Sequence, residues 1–237
     1  QQTGLACRKY RDLADLLVEE LDNPESIGDL LGYLQNGQLV SRRVDLASGR
    51  VSLLEDEAVI EFQVSETGLI KTFGPAWQLL LIGDGQLARH LASMASELDY
   101  RVVICDPREA FEAAALPAGV RRSREMPDEA VQGVADQART AIVALAHDPR
   151  QDDLALSAAL DSQAFYIGAL GSARTAKTRR ERLQSLGFST KQIARIHGPA
   201  GLYIGSKRPA EIAVSILAEI TAIRNGIAAL ASAPGTA

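Results

Sequence analysis

The chain predicts an α/β protein, in which a Rossmann-like, doubly wound parallel sheet follows a small α+β N-terminal domain. Three observations predict this. The runs LLLIG, VVIC, AIVALA and FYIGAL are continuously apolar with no alternation, as strands covered on both faces must be. Segments of helical period separate them. The first 75 or so residues have another texture, short and alternating, so the expected domains are 1–76 and 77–237.

In the N-terminal domain Leu13, Leu16, Leu17 and Leu21 recur at helical spacing, and Ile27, Leu30, Leu31 and Leu34 repeat the pattern before Asn36-Gly37 stops it. QLVSRRVDL, RVSLLE and AVIEFQVS then read as a small antiparallel meander, closed by Gly74-Pro75. Beyond Trp77, strands are expected at 78–83, 101–106, 140–146 and 164–169, with a weaker one at 119–122. Helices are expected at 85–98, 108–115, 127–137, 150–161, 172–186, 189–196 and 209–225, and the tail ASAPGTA is expected to fray.

Composition limits the partners. A length of 237 residues with 46% hydrophobic content supports one good-sized core, and a formal charge of -5 disfavours nonspecific binding to nucleic acid or anionic lipid. An anionic ligand must then be held by local groups. Two distant cysteines, Cys7 and Cys105, form no disulfide framework or zinc ribbon. No apolar run reaches the roughly 18 residues of a membrane span, and QQTGLACRKYRD lacks a signal peptide's apolar core. A soluble cytoplasmic protein is the expectation.

Gly83-Asp84-Gly85-Gln86-Leu87-Ala88 is a G-x-G-x-x-A turn between an apolar strand and an amphipathic helix whose buried stripe is Leu87, Leu91, Met94, Ala95 and Leu98. Gly83 permits the tight turn, Gly85 lets a phosphate approach the backbone, and Ala88 lets helix and strand pack closely. The helix N-terminus offers free N–H groups and a positive dipole. Asp106 ends the next strand, 23 residues after Gly83, where a carboxylate commonly takes a ribose hydroxyl pair. Asp84 complicates the turn, because a carboxylate there repels phosphate unless it points away.

FYIGALGSARTAKTRRERLQSLG repeats the arrangement. A strand ends at Gly168 to Leu170, Gly171-Ser172 turns, and Ser172 is placed to cap a helix that carries Arg174, Lys177 and Arg180. That basic face could simply be solvated, but the carboxyl ends of parallel strands are where such sheets bind ligands. Of the three histidines, His90 lies off the apolar stripe and reads as surface. His147 follows AIVALA, and its neighbours Asp148 and Pro149 read as a helix cap and first residue. His197 sits in the Gly/Pro-rich loop of ARIHGPAGLYIGSKRPAEIA, where side chains are aimed and not packed. No residues have metal-ligand spacing, no nucleophile elbow is present, and Cys105 inside VVIC reads as an apolar filler.

Three stretches together resemble the XdhC/CoxI family of accessory factors for maturing molybdenum hydroxylases such as xanthine dehydrogenase. They are LLLIGDGQLARHLASMASELDYRVVICDPRE, VALAHDPRQDDLAL, and YIGALGSARTAKTRRERLQSLGFSTKQIARIHGPAGLYIGSKRPAEIAVSILAEI, covering roughly residues 78–225. The last block carries G-S-x-R, then I-H-x-P-x-G-L-x-I-G, then P-x-E-I-A-x-S-I-x-A-E. The resemblance implies a Rossmann-like domain that binds the molybdenum cofactor (molybdopterin, a pterin dithiolene with a phosphate). It implies assistance to sulfuration by a cysteine desulfurase and delivery to an apo molybdenum hydroxylase. Two features depart from the family. Gln86 stands where members often carry a histidine, and residues 1–77 lack the G-S-x-P-R and G-G-C-x-E motifs, with which Cys7 is not equated.

The expected function is therefore a cofactor-binding chaperone without turnover of its own. Its expected contacts are Gly83, Gly85, Gln86, Asp106, His147, Gly171, Ser172, Arg174, Lys177 and His197. An NAD(P)-dependent oxidoreductase is the alternative that Gly83, Gly85 and Asp106 support, although no catalytic domain follows the sheet. A partner-binding module is the third. Nothing in the sequence decides the client or whether the protein is a homodimer.

Overall fold

The computed structural model describes residues 24–35, 38–55, 62–74, 76–108, 116–134, 137–146 and 148–227. The expected helices at Leu13–Leu21 and 108–115, Cys7, His147 and the tail lie outside the described residues. The chain divides into two compact units, 1–75 and 76–237.

In the first unit helix α1 (Pro24–Gln35) precedes four antiparallel strands, β1 (Val40–Asp45), β2 (Val51–Leu54), β3 (Phe62–Val64) and β4 (Gly68–Phe73), in the order β2-β1-β4-β3. The sequence pattern predicts three strands, and β4, which lies centrally beside β1, is additional. Its GLIKTF alternates weakly, but Leu69 faces Val44 across the ladder and both are buried.

The second unit is the parallel sheet. Its elements are β5 (Gln78–Ile82), α2 (Gln86–Ser96), β6 (Arg101–Cys105), β7 (Arg121–Ser123), α3 (Pro127–Gln132), β8 (Thr140–Ala144), α4 (Pro149–Asp161), β9 (Tyr166–Ala169), α5 (Ala173–Ser185), α6 (Thr190–Ile193), β10 (Ile196–His197) and α7 (Pro209–Arg224). The six strands lie in the order β10-β9-β8-β5-β6-β7, and all five pairings are parallel. From β5 the chain winds outward to β6 and β7. It then crosses to β8 and winds the other way, so the topological switch lies between β5 and β8.

Both faces are covered, which explains the absence of alternation. Leu79, Leu81, Val102, Ile104, Ala141 and Val143 pack with α2 and α7 on one side. Leu80, Ile82, Cys105, Ile142, Ala144 and Ile167 pack with α3, α4, α5 and α6 on the other. Two helices are shorter than expected. α3 ends at Gln132, with a separate 3₁₀ turn at Gln137–Arg139, and α6 gives way to the two-residue edge strand β10, too short to read from periodicity. The stripe of α2 is also shifted: Ala88, Leu91, Ala92 and Ala95 are its buried residues, and Leu98 lies past its end, exposed.

Candidate functional site

The two glycine turns stand on one edge of the sheet. Gly83 to Gln86 follow β5 and Gly171 to Arg174 follow β9, with β8 between, so the strands that feed them are about 10 Å apart. Loops cross-link along this edge. The Leu145 N–H donates to the Ile82 carbonyl at 2.9 Å, Leu170 to Ala144 at 2.9 Å, and Ala200 to Ala169 at 3.0 Å.

Gly83 has φ +103°, and a Cβ there would meet Ala146 backbone atoms at 3.0 Å. Only glycine lets the β5 and β8 loops touch at the switch point. Gly85 is the N-cap of α2 in extended backbone with no side-chain cap, so the first N–H groups of α2 face outward beside exposed Gln86.

The acids of this turn face inward. Asp84 is 1% exposed and lies between two arginines, with Arg89 Nε 2.9 Å and Arg122 Nη2 2.8 Å from its oxygens. That removes the repulsion a carboxylate would bring to a phosphate. Asp106 is 2% exposed. Its Oδ2 accepts from the Asp84 N–H at 2.9 Å and from Arg108 Nη2 at 2.7 Å, and its Oδ1 accepts from Arg108 Nε at 2.9 Å and N–H at 3.1 Å. Burial pushes this carboxyl up, but the Arg108 bonds and backbone donors outweigh it and hold it below the usual range. The expected ribose acid thus locks the turn to the next strand.

The second turn is organised differently. Gly171 has φ +146°, and a Cβ there would crowd Thr175 at 3.0 Å. Ser172 caps α5 by accepting from the Thr175 N–H at 3.1 Å. Arg174 and Lys177 are exposed on the first turns of the helix. Arg180 does not join them, because its Nη2 donates to the Gly198 carbonyl at 3.2 Å. Beneath the turn, buried Arg179 bonds Asp152 at 3.2 Å and the Leu170 carbonyl at 3.0 Å. Burial pushes Asp152 up to about 6 against the pull of Arg179 and the Ala146 N–H, so Asp152 is a structural anchor.

His197 ends β10 in register with Gly168. Its Nδ1 lies 3.1 Å from Glu219 Oε1, and its ring stacks on Tyr166 at 4.8 Å and 23°. Glu219, 6% exposed on α7, accepts at Oε2 from the Tyr166 hydroxyl at 2.6 Å and the Gly201 N–H at 2.7 Å. Gly168 is small for a reason: a Cβ there would lie 2.6 Å from the Tyr166 ring, which crosses it to reach Glu219. Sequence reasoning missed Glu219, although it closes the P-x-E-I-A-x-S-I-x-A-E block. It also missed Arg108, two residues from Asp106, and Arg122, whose pairing with Asp84 no local pattern announces.

The other candidates contribute less. His90 is half-buried on α2. Cys105 is buried, and its thiol is pushed up to about 12 by burial and then by Glu125 and Asp106, so it is no thiolate at neutral pH. Among the described residues no group of three His, Cys, Asp or Glu side chains could hold a metal ion. A groove of about 710 Å³ opens beside β6, β7 and α3, lined by Gln78, Arg101, Val103, Arg121 and Ser123, and none of the glycine-turn residues lines it. No described helix is long and apolar enough to cross a membrane.

The chain is similar to known proteins. The family described as the XdhC Rossmann domain matches residues 79–220. The molybdenum cofactor insertion chaperone PaoD of Escherichia coli (strain K12) is 29% identical over 209 residues, covering 88% of this chain and 59% of PaoD. A Bacillus subtilis (strain 168) protein named as a probable xanthine dehydrogenase subunit is 29% identical over 168 residues, covering 70% of this chain and 49% of that protein. This chain therefore spans about half to three fifths of the length of these relatives. A crystal structure of a xanthine dehydrogenase from Bacillus halodurans superposes with a TM-score of 0.67 at 21% identity, over 87% of this chain and 66% of that one, which shows a shared fold.

Proposed function

Because this chain belongs to the XdhC family, we propose that it binds the molybdenum cofactor and hands it to an apo molybdenum hydroxylase of the xanthine dehydrogenase type. One observation carries the proposal beyond family membership. Two helix N-termini, those of α2 and α5, open on the same carboxyl edge one strand apart, and the second carries exposed Arg174 and Lys177. Such an edge suits a ligand with a phosphate at one end and a polar ring at the other. The phosphate fits at Ser172, Arg174 and Lys177 or at Gly85 and Gln86, and His197 faces the polar end. His147, outside the described residues, remains a candidate from the sequence alone.

The residues present fit holding better than chemistry. When bound, the cofactor supplies the molybdenum and dithiolene that the client enzyme uses, and this chain's part is to bind, orient and release it. In this proposal sulfur for the cofactor comes from a partner cysteine desulfurase, and Cys105, buried and protonated, is not its carrier. The protein then works without turnover of its own, in the cytoplasm, as a monomer or a homodimer. The relatives named for cofactor insertion and for xanthine dehydrogenase support the client class. A nicotinamide dinucleotide is the weaker reading, since Arg108 and the Asp84 N–H already occupy the Asp106 carboxylate.

Acid-iodine oxidation of freshly purified protein tests this. It is expected to release a fluorescent phosphorylated pterin in near-stoichiometric yield, and the protein is expected to activate an apo-hydroxylase in vitro. Bound NAD(P) in place of pterin, with no effect on the hydroxylase, would overturn the proposal.

A further inference from the structure

We infer that Glu219 is a positioning residue: it fixes His197 in the tautomer with its proton on Nδ1, leaving Nε2 to accept a hydrogen bond from a ring N–H of the ligand. The ligand half of this inference rests on the pterin reading above, and the tautomer half rests on the geometry alone.

The geometry fixes the proton on Nδ1. Glu219 Oε2 receives two donors, the Gly201 N–H at 2.7 Å and the Tyr166 hydroxyl at 2.6 Å. Oε1 faces His197 Nδ1 at 3.1 Å. Burial pushes the Glu219 carboxyl up, but the bonds from His197, Tyr166 and Gly201 hold it below its ordinary value, so it is ionised at neutral pH and can only accept. Nδ1 must then donate. Tyr166 keeps its proton, since burial and the neighbouring Glu219 push its hydroxyl well up.

Orientation is fixed as firmly as the tautomer. The imidazole is clamped between the Tyr166 ring, stacked at 4.8 Å, and the Glu219 carboxylate. Arg180 of α5 donates from Nη2 to the carbonyl of Gly198, the residue that follows His197. His197 retains 32% side-chain exposure, and among the described residues nothing bonds Nε2. In the neutral ring that carries its proton on Nδ1, Nε2 is an acceptor. It repels a phosphate oxygen and attracts an N–H, and a pterin carries such donors on its pyrimidine edge. The anion is thereby directed to the Ser172 end, which orients the ligand along the sheet edge.

The decisive variant is Glu219→Gln. The Gly201 N–H at Oε2 can only donate and demands the amide oxygen there, which turns the amide NH₂ toward His197 Nδ1. Nδ1 must then accept, and the ring proton moves to Nε2. Imidazole ¹⁵N–¹H correlation spectra at pH 8 read the tautomer directly. The wild type is expected to show Nδ1–H and Glu219→Gln to show Nε2–H. Titration with the phosphorylated, oxidised pterin is expected to weaken at least tenfold in Glu219→Gln, while inorganic phosphate binds as before. Tyr166→Phe removes a donor to the same carboxylate without altering the tautomer, so its pterin affinity should stay within about threefold of wild type.

An Nε2–H tautomer in the wild type overturns the inference, and that measurement needs no variant to fold. Unchanged pterin affinity in a tautomer-flipped Glu219→Gln overturns it as well. If the wild type shows Nδ1–H but binds no pterin, the cofactor proposal fails together with the ligand half of this inference, and the tautomer assignment stands.

Discussion

The two glycine turns look alike in sequence and spend their charges in opposite ways. After β5, Asp84 and Asp106 are buried and gripped by Arg89, Arg122 and Arg108, so the charged groups of that turn are consumed in holding its shape. After β9, Ser172 caps its helix while Arg174 and Lys177 stay exposed. The difference teaches that a Rossmann-type fingerprint can be a structural joint. The first turn then offers a ligand backbone N–H groups, and the second adds side-chain charge. If that division is right, substitutions in the first turn should cost mainly stability, and those in the second mainly affinity.

The largest effect is expected at Gly83. A methyl group there would lie 3.0 Å from the Ala146 backbone, and φ +103° is strained for any L side chain. Gly83→Ala should destabilise the fold by about 2–4 kcal/mol, read by denaturant unfolding. An unfolding midpoint like the wild type's would show that the switch-point loops are not held together by this contact.

Asp106 comes next and bears most directly on the comparison. Asp106→Asn leaves Arg108 and the Asp84 N–H facing an uncharged amide. The cost should be about 1–3 kcal/mol, at the low end because Arg108 is 43% exposed and water screens the pair. The pH dependence has a definite sign. The folded carboxyl sits below its ordinary value of 3.8, so its contribution is fully present above that pH and is lost as pH falls through the folded value. The variant should therefore show a flatter acid limb in its stability profile. Intact stability with abolished dinucleotide binding would instead make Asp106 a ligand acid and undo the contrast between the turns.

What the sequence revealed and what it hid divide along the same line. Strands β5, β6, β8 and β9 were legible because burial on both faces leaves a continuous apolar signature within one short window. The turn at Gly83 and the cap at Ser172 were legible because turn and cap chemistry is local. Arg122 pairs with an acid 38 residues away, and Glu219 meets His197 across 22 residues, so neither contact exists until the sheet is assembled. Asp106 stands out in the sequence as an acid at a strand end. Its partner Arg108 is in view two residues on, yet only the folded turn shows the carboxylate directed inward. Strands β4 and β10 were missed because a central strand of weak alternation and a two-residue edge carry too little pattern.

In the second turn Arg174 should matter most. Arg174→Ala is expected to leave the unfolding midpoint unchanged, since the side chain is exposed, and to weaken phosphorylated-pterin binding roughly ten- to a hundredfold through loss of a charge-assisted hydrogen bond. Wild-type affinity in this variant would leave the turn's basic face merely solvated.

The smallest effect is expected at Lys177, and its salt dependence is its most informative property. Lys177 lies one turn further along α5 than Arg174 and is also exposed. An ammonium at that distance acts as a point charge on a phosphate, without the planar fork that lets an arginine bond two oxygens at once. Its contribution is therefore mostly coulombic, and coulombic attraction in water fades beyond a Debye length of roughly 10 Å at 0.1 M salt. Lys177→Ala should weaken pterin binding by about threefold at low ionic strength and by less at about 0.5 M salt. The Arg174→Ala deficit should shrink much less over the same range, because a direct bond survives screening. Parallel titrations of both variants at two salt concentrations measure this. Equal salt sensitivity would mean that neither side chain touches the ligand and that both act only through the field at the N-terminus of α5.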